Sequence, residues 1–425
     1  MSDSASISTV VYARFPHSQP DANQGILGAL DVIIHDRLEK QGLQMFPLLP
    51  ENNNHCPIFF KPNIGKTARI VIIFGEPTQD LGIIARRVAN GPGGLAKGSM
   101  VSVVRELAKQ TASPNDPEPP SVVLANMGQR YWWPEGERSL TIEASADIPL
   151  PSLVHTGRRM VKGLNEIPGS ETPLAHMATV FDKVLEVNES ANIDVIAIGE
   201  SCEYALKYFE NEKNWAQWGH RLGGMLLMGT VFIADGLTNA EFRDFLAKAS
   251  LISHPPAVHI HYLPIQRTRG YLISEEALDV PLAMPGGNPS LMIEPLGCPC
   301  FSGGEPHFTE LILVKALEPA LCYLQEIALT PDFVNPDMAV AERPPPDMTD
   351  ENWSEIPEEN KPGITIQNPD LMKEQIKQMR RWERFEKTGL APDSDSDSDS
   401  DEEADKAEEM PQNGGKADCR EGEEW

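Results

Sequence analysis

A serine that follows a short apolar run is the best candidate for chemistry in this chain. Residues 193–198 are mostly apolar, Ser201 comes three residues later, and a helical pattern begins near Tyr204. Strand, sharp turn and helix is the geometry of the nucleophile elbow of serine hydrolases, whose signature is G-x-S-x-G. The residues here read G-E-S-C-E, with Glu203 in place of the final glycine. The pattern predicts either a serine hydrolase with an unusual elbow or a hydrolase-like fold kept for another purpose.

The partners that a serine nucleophile needs are present in the right chain order. A hydrolase of this kind has an acid and then a histidine after the serine. Asp235 follows a later apolar run and is the first choice for the acid, while Glu275 and Asp279 are candidates farther along the chain. His307 precedes the last long helical pattern. The order of Ser201, Asp235 and His307 therefore fits ester hydrolysis. The expected oxyanion donors are the loop after Phe74 and the amide of Cys202.

A competing interpretation gives the same residues structural roles. A glycine where Glu203 stands would let strand and helix pack closely, whereas glutamate adds bulk and a negative charge beside a developing oxyanion. Serine is a preferred N-cap residue, so Ser201 is expected to cap the following helix. His307 is expected in the first turn of the last helix, bonded to a neighbouring loop. We therefore favour a scaffold without catalysis over an active esterase.

The elements that must position these residues alternate along the chain. Continuous apolar runs suit strands buried on both faces of a parallel sheet, and helical patterns or long crossovers separate them. This alternation predicts a three-layer α/β/α sandwich with a mostly parallel sheet, α/β-hydrolase-like, over residues 10–330. The predicted strands are 69–74, 121–125, 193–198, 224–231, 257–263 and 291–294, and the predicted helices are 26–38, 95–108, 173–185, 239–248 and 307–329.

Composition excludes several classes of function. The net charge of −27 repels phosphate, so direct binding of nucleic acid is not expected. No run of eighteen apolar residues exists and no signal peptide is evident, so we expect no membrane association. The six cysteines are then expected to be reduced, in the nucleus, the cytoplasm or both.

No cofactor and no metal is expected. The segment Cys298-Pro299-Cys300 with His307 lacks the spacing of a zinc site. His259 and His261 share one face of a predicted strand without a third ligand, and we interpret them as core or cleft histidines.

The chain changes character after Thr330. Residues 331–368 are rich in proline and acid and are predicted to be a linker or a segment draped over the domain. Residues 369–389 are predicted to form a basic amphipathic helix. That helix either docks on the domain or stays in solvent, or it binds a partner with Trp382 as its anchor.

The final segment, residues 390–425, is predicted to be disordered. It holds 14 acidic and 3 basic residues and cannot bury a core. Four serines have an acidic residue three positions later, which suits phosphorylation by an acidophilic kinase; they are Ser394, Ser396, Ser398 and Ser400. The tail is either a solubilising extension or a binding segment for a basic, histone-like partner.

Several stretches together resemble a known family. They are residues 130–134, 193–201, 214–218, 267–271 and 297–305. As a set they are similar to the fungal domain family named after the second Argonaute-binding protein, which also occurs in fungal class II histone deacetylases. The resemblance covers about residues 10–330 and implies an α/β-hydrolase-like, non-catalytic interaction domain, in a family linked to RNA silencing and heterochromatin. It carries over no catalytic residue, because the family is not defined by any.

The sequence thus predicts an intracellular protein-interaction domain, a pseudoenzyme, whose partners are proteins such as Argonaute-like or chromatin proteins. Basic proteins are the expected partners of the tail. The alternative is a serine esterase or lipase-like hydrolase that uses Ser201 and His307.

Overall fold

The computed structural model describes residues 25–148, 160–229, 236–247, 267–331, 333–336 and 338–342. Within these residues, eleven strands form one nine-stranded sheet and a separate hairpin. The order across the large sheet is β1-β2-β4-β3-β7-β8-β9-β11-β10, and β5 pairs with β6. The strands are β1 (Gln44–Pro47), β2 (Pro57–Phe60), β3 (Arg69–Phe74), β4 (Ser121–Ala125), β5 (Tyr131–Trp133), β6 (Arg138–Leu140), β7 (Asn192–Ile198), β8 (Leu222–Met228), β9 (Thr268–Leu272), β10 (Pro281–Ala283) and β11 (Cys300–Ser302).

The sheet is mostly parallel, as predicted. The pairs from β4 through β3, β7, β8 and β9 to β11 are all parallel, whereas β2 and β10 run antiparallel to their neighbours. Every residue of β3 and β8 is buried, which is why these strands read as continuous apolar runs. β7, the fifth strand of the large sheet in chain order, leads into the helix that begins at Ser201.

Helices cover both faces of the sheet and complete the predicted three layers. One apolar cluster joins alternate side chains such as Ile72 to α6, α7 and α9, and the other joins residues such as Ile73 to α1, α4 and α10. The helices are α1 (Gly25–Lys40), α2 (Arg86–Ala89), α3 (Gly94–Gly98), α4 (Met100–Leu107), α5 (Ile142–Ala146), α6 (Pro173–Val184), α7 (Ser201–Glu210), α8 (Glu212–Trp218), α9 (Ala240–Leu246) and α10 (Ile312–Leu329). None of the helices described here has the length and apolar character to cross a bilayer.

The long helix α10 packs closely on the middle of the sheet. A side chain added to Gly224 of β8 would meet Ile327 at 2.9 Å and Leu324 at 3.1 Å. The missing side chain at Gly224 therefore lets α10 approach the strand directly.

A buried ion pair joins two central strands beneath α10. Arg69 of β3 donates from Nε to Asp194 of β7 at 2.5 Å, and both side chains are almost fully buried. The same guanidinium donates to the carbonyl of Leu324 in α10 at 3.1 Å. Arg69 thereby satisfies polar groups from the sheet and from the covering helix.

Some predicted elements differ from the structure. The predicted helix 95–108 is broken at Ser99, whose backbone is extended (φ −129°, ψ 165°), into α3 and α4. Residues 131–133, where no strand was predicted, form β5 of the hairpin. The strand predicted at 291–294 is wrong: Pro289–Leu291 is a 3-10 turn and Met292 is left-handed (φ 56°).

The end of the sheet follows a different order from the one predicted. β9, β10 and β11 were not predicted, because they are short and hold glycine, proline or cysteine in place of an apolar run. The last helix begins at Ile312 and not at His307. The predicted strand 257–263 lies outside the described residues.

The segment after α10 contacts the domain. Asn335 accepts a hydrogen bond from the Tyr323 hydroxyl at 2.8 Å and donates to the carbonyl of Thr268 at 3.0 Å. Ala341 donates from its amide to Pro281 of the edge strand β10 at 2.9 Å. The predicted helix 369–389 and acidic tail lie outside the described residues.

Candidate functional site

The corner between β7 and α7 is occupied by a glycine. β7 ends at Ile198, Gly199 has a left-handed backbone (φ 59°), Glu200 is already right-handed (φ −61°, ψ −21°), and Ser201 begins α7. A nucleophile elbow places the nucleophile at the strained residue between strand and helix. That residue here is Gly199 and not Ser201. Ala197 and Ser201 lie two positions before and after Gly199, and both are small. They correspond to the two glycines that flank the serine in the G-x-S-x-G signature.

The space beside Gly199 is filled by a carboxylate from another strand. Glu76 follows β3, and a Cβ added to Gly199 would lie only 1.3 Å from its Oε2 atom. The same oxygen accepts a hydrogen bond from the amide of Glu200 at 3.3 Å. Glu76 therefore lies where the side chain of an elbow nucleophile would project.

The environment of Glu76 favours its neutral form. Burial, and then the nearby charges of Glu200 and Glu310, raise its pKa to about 7, although the hydrogen bond from the Glu200 amide opposes the shift. Glu310 belongs to the 3-10 turn Thr309–Leu311 that precedes α10. Loops after β3, β7 and β11 therefore place their acidic side chains near one another at the carboxyl edge of the sheet.

Ser201 is packed away from solvent and its hydroxyl is already bonded. The residue is fully buried, and Oγ donates to the carbonyl of Gly75 at 2.5 Å. Among the described residues, no histidine bonds this hydroxyl. The expected oxyanion donor is also engaged, because the amide of Cys202 donates to the carbonyl of Gly199 at 3.1 Å.

Two further expectations for this corner are corrected. Glu203 does not face the nucleophile position: its side chain is 56% exposed and pairs with Lys207 at 2.5 Å, one turn along α7. Ser201 is not the N-cap of α7. The cap residue is Glu200, and the side chain of Glu200 makes no capping hydrogen bond. The carboxylate that intrudes on the corner is that of Glu76.

His307 lies in an exposed loop on the same edge of the sheet. Its amide donates to Glu305 at 3.0 Å, and its ring packs edge-on against Phe308, with 6.2 Å between centroids. The loop reaches the end of β8, where a side chain added to Gly229 would lie 3.2 Å from the carbonyl of Thr309. The structure thus brings His307 to the correct edge but not into contact with Ser201. Asp235 lies outside the described residues.

The direction in which strands are added reverses between β3 and β7, because β4 lies beside β3 on one side and β8 lies beside β7 on the other. The carboxyl ends of β3 and β7 therefore form the topological switch point of the sheet. Ligands of open α/β sheets bind at such points. The structure has a small pocket of about 10 Å³ beside Glu76, but it lies between the segments that follow β3 and β4 and is lined by Gln79, Asp80 and Asn126, with no residue of β7. This volume is about the room that one water molecule needs.

A second serine–histidine pair lies nearby, and no sequence pattern had indicated it. The Ser170 hydroxyl and His176 Nδ1 are 2.9 Å apart, and both residues are fully buried. The amide of Asn126 donates to His176 Nε2 at 3.1 Å, so Nε2 carries no proton and Nδ1 must be the donor to Ser170. Burial lowers the pKa of His176 to about 3. His176 is therefore neutral, and its hydrogen bond with Asn126 holds the loop after β4 in place. It is not a base for Ser170, because its Nδ1 already carries a proton.

No group of three or more His, Cys, Asp or Glu side chains in the described part of the chain is arranged to hold a metal ion. Cys298 and Cys300 are both buried, with their sulfur atoms 4.0 Å apart. The predicted core or cleft histidines, His259 and His261, lie outside the described residues.

Comparison with known proteins places the chain in a family. Residues 21–251 match the model of the Arb2 domain, which is more than half of the 425 residues. No curated protein sequence matches the chain significantly.

Among solved structures, similarity extends to two histone deacetylases and to esterases. A histone deacetylase from Saccharomyces cerevisiae is 8% identical, with 70% of this chain and 97% of that chain covered and a TM-score of 0.37. The histone deacetylase Clr3 is 14% identical, with 74% and 41% covered and a TM-score of 0.36. The carboxylesterase CesB from Bacillus subtilis is 8% identical, with 70% and 98% covered and a TM-score of 0.30. The family match confirms the resemblance noted in the sequence, and the chain belongs to the Arb2 domain family.

Proposed function

We propose that this protein is a non-catalytic interaction protein built on an α/β-hydrolase-like scaffold. The observation that carries the proposal is the corner at Gly199. The residue in the nucleophile position has no side chain, and the Glu76 carboxylate fills the space that a nucleophile would occupy. Covalent catalysis needs a nucleophile within reach of a base and of free oxyanion donors. At this corner Gly199 supplies no nucleophile, and the amide of Glu200, the donor that follows the nucleophile position, is bonded to Glu76.

The hydrogen bonding of Ser201 supports the same proposal. Its hydroxyl donates to a main-chain carbonyl and has no solvent exposure, so a substrate would have to break this contact to reach it. The pKa of Glu76 is about 7, so the fraction of this side chain that is ionised at neutral pH would also oppose the developing oxyanion of ester hydrolysis.

The partners in this proposal are proteins, for example Argonaute-like or chromatin proteins, in the nucleus, the cytoplasm or both. Membership of the Arb2 family supports this choice, and so does the charge of the chain. A net charge of −27 disfavours direct contact with nucleic acid, while the acidic residues 390–425 suit a basic protein.

Active-site labelling tests the absence of catalysis. The full chain is treated with a fluorophosphonate probe beside an active serine esterase as the positive control. We expect no labelling of the protein. Labelling that disappears in Ser201→Ala but persists in Ser190→Ala would replace this proposal with the esterase alternative.

Affinity capture tests the interaction role. The full chain and a chain that ends at residue 368 are used as baits in native extract of the source organism, with an unrelated acidic protein as the control. We expect at least one protein at stoichiometric recovery with the full chain, and basic proteins to be lost from the shorter bait. Recovery of no protein above the control contradicts the proposal.

The esterase alternative rests on one specific observation. The loop of His307 lies at the same sheet edge as the strand-turn-helix of Ser201, as chain order predicted for a hydrolase. Activity would require Ser201 to leave its bond with Gly75 and Glu76 to leave the corner, so Glu76→Ala is the variant in which any hidden ester hydrolysis should first appear.

A further inference from the structure

The side chain of one methionine, at a turn between β10 and β11, is not packed against the rest of the molecule. The side chain of Met292 is 91% exposed, the highest value among the large apolar side chains of the described residues. Its backbone is left-handed (φ 56°, ψ 35°), a conformation that few residues other than glycine adopt. The turn therefore directs a thioether into solvent.

The turn that carries Met292 is held firmly on both sides. Asn288 and Ile293 exchange two backbone hydrogen bonds, at 2.9 and 3.0 Å. The Asn288 side chain donates to the carbonyls of Leu282 at 2.6 Å and Ala341 at 2.8 Å. The neighbours of Met292 thus anchor the turn, and its own side chain contributes nothing to the core.

We propose that Met292 is a site of reversible oxidation by hydroperoxides, where sulfoxide formation changes the surface of the protein and leaves its fold intact. In this step the thioether sulfur attacks one peroxide oxygen, an S–O bond forms and the O–O bond breaks. The other oxygen leaves as water or alcohol after taking up a proton, so sulfur loses two electrons and the peroxide gains them. A methionine sulfoxide reductase returns the thioether with two thiols as the reductant, which supply two electrons and two protons, become a disulfide and release the oxygen as water.

Other methionines of the chain provide the internal comparison. Met225 and Met228 of β8 are fully buried, and Met160 is 46% exposed. Sulfoxide formation at the two buried sites would place a polar oxygen in the apolar core and disrupt it, whereas Met292 has open space around its sulfur. Exposure and packing together predict the order Met292, then Met160, then the methionines of β8.

Peroxide titration of the full chain tests this proposal. Hydrogen peroxide is added at a fixed concentration, and the fraction of each methionine-containing peptide that has gained one oxygen atom is followed by mass spectrometry. We expect the half-time of Met292 to be shorter than that of Met160 and at least about tenfold shorter than those of Met225 and Met228. Equal half-times at Met292 and in β8 would overturn the proposal.

A stability measurement separates a surface modification from damage to the fold. When only Met292 is oxidised, the unfolding temperature is expected to stay within about 1 °C of that of the untreated protein. The variant M292L should lose the fast phase of oxygen uptake in the peptide that contains position 292, and reductase treatment should restore the mass of that peptide in the wild type. A lower unfolding temperature after oxidation of Met292 alone, or a fast phase that persists in the same peptide of M292L, would also refute the assignment.

Discussion

Replacing Gly199 with alanine tests the assignment of the corner. The new methyl group would overlap with Glu76 Oε2. The carboxylate must therefore move away from residue 199 and lose its hydrogen bond to the amide of Glu200. Loss of a hydrogen bond to a charged group costs about 1.5–3 kcal/mol, and about half of that for a neutral one. The left-handed backbone of residue 199 adds about 1–2 kcal/mol for any L side chain. Together these terms predict that G199A lowers the free energy of unfolding by about 2–4 kcal/mol.

Urea unfolding of a small set of variants separates the two terms. Gly94 has a similar backbone (φ 65°) and no atom within 4 Å of an added Cβ, so G94A should lose only the backbone term of about 1–2 kcal/mol. Removing the carboxylate with Glu76→Ala should reduce the cost of G199A to the same value. The resulting coupling between positions 76 and 199 is expected to be about 1–2 kcal/mol.

The refuting result is specific. If G199A is equally destabilising in the wild-type and Glu76→Ala backgrounds, the Glu76 carboxylate does not occupy the space beside Gly199. The main support for the absence of a nucleophile would then be lost.

Three further predictions concern the same domain. Ser201→Ala removes the donor to the carbonyl of Gly75 and is expected to lower the unfolding free energy by about 1–2 kcal/mol, measured in urea, with no change in ester hydrolysis. Arg69→Ala leaves Asp194 buried without its partner and should cost about 3–5 kcal/mol, whereas R69M combined with D194L should recover much of that loss. Burial, and then the charge of Asp80, raise the pKa of Asp31 from 3.8 to about 7, opposed by Arg86 and Arg138. The folded state therefore binds this proton more tightly than the unfolded state, and stability should fall as pH rises from about 4 to about 7. D31N should weaken that dependence and be more stable than the wild type at pH 8 by about 1–2 kcal/mol, as measured by thermal unfolding across pH.

The sequence predicted the centre of the fold because its signal there is local. The strands at 69–74, 121–125 and 193–198 are continuous apolar runs, and these match β3, β4 and β7 closely. The helix predicted at 173–185 matches α6, which begins at Pro173 after the cap residue Thr172, whose side chain accepts from the amide of Ala175. The later strands are three to five residues long and take their structure from pairing with neighbours, which a single sequence does not display.

The corner was less predictable for two physical reasons. The residues around this corner fit the elbow signature in two registers, with either Gly199 or Ser201 at the nucleophile position. Only the backbone conformation decides between the two registers. The decisive contact is also remote in sequence, because Glu76 and Glu200 are 124 residues apart. Glu203, whose charge was expected to oppose catalysis, is placed in solvent by the helical periodicity of α7.

The close approach of α10 to Gly224 has a consequence for where this domain should be cut. The stretch that matches the family model ends at residue 251, whereas α10 starts at Ile312. A recombinant fragment that stops at the matched boundary would expose the part of the sheet that α10 covers and would be prone to aggregation. Expression designs should therefore run at least to Glu342, so that the fragment retains both the covering helix and the segment that closes the β10 edge.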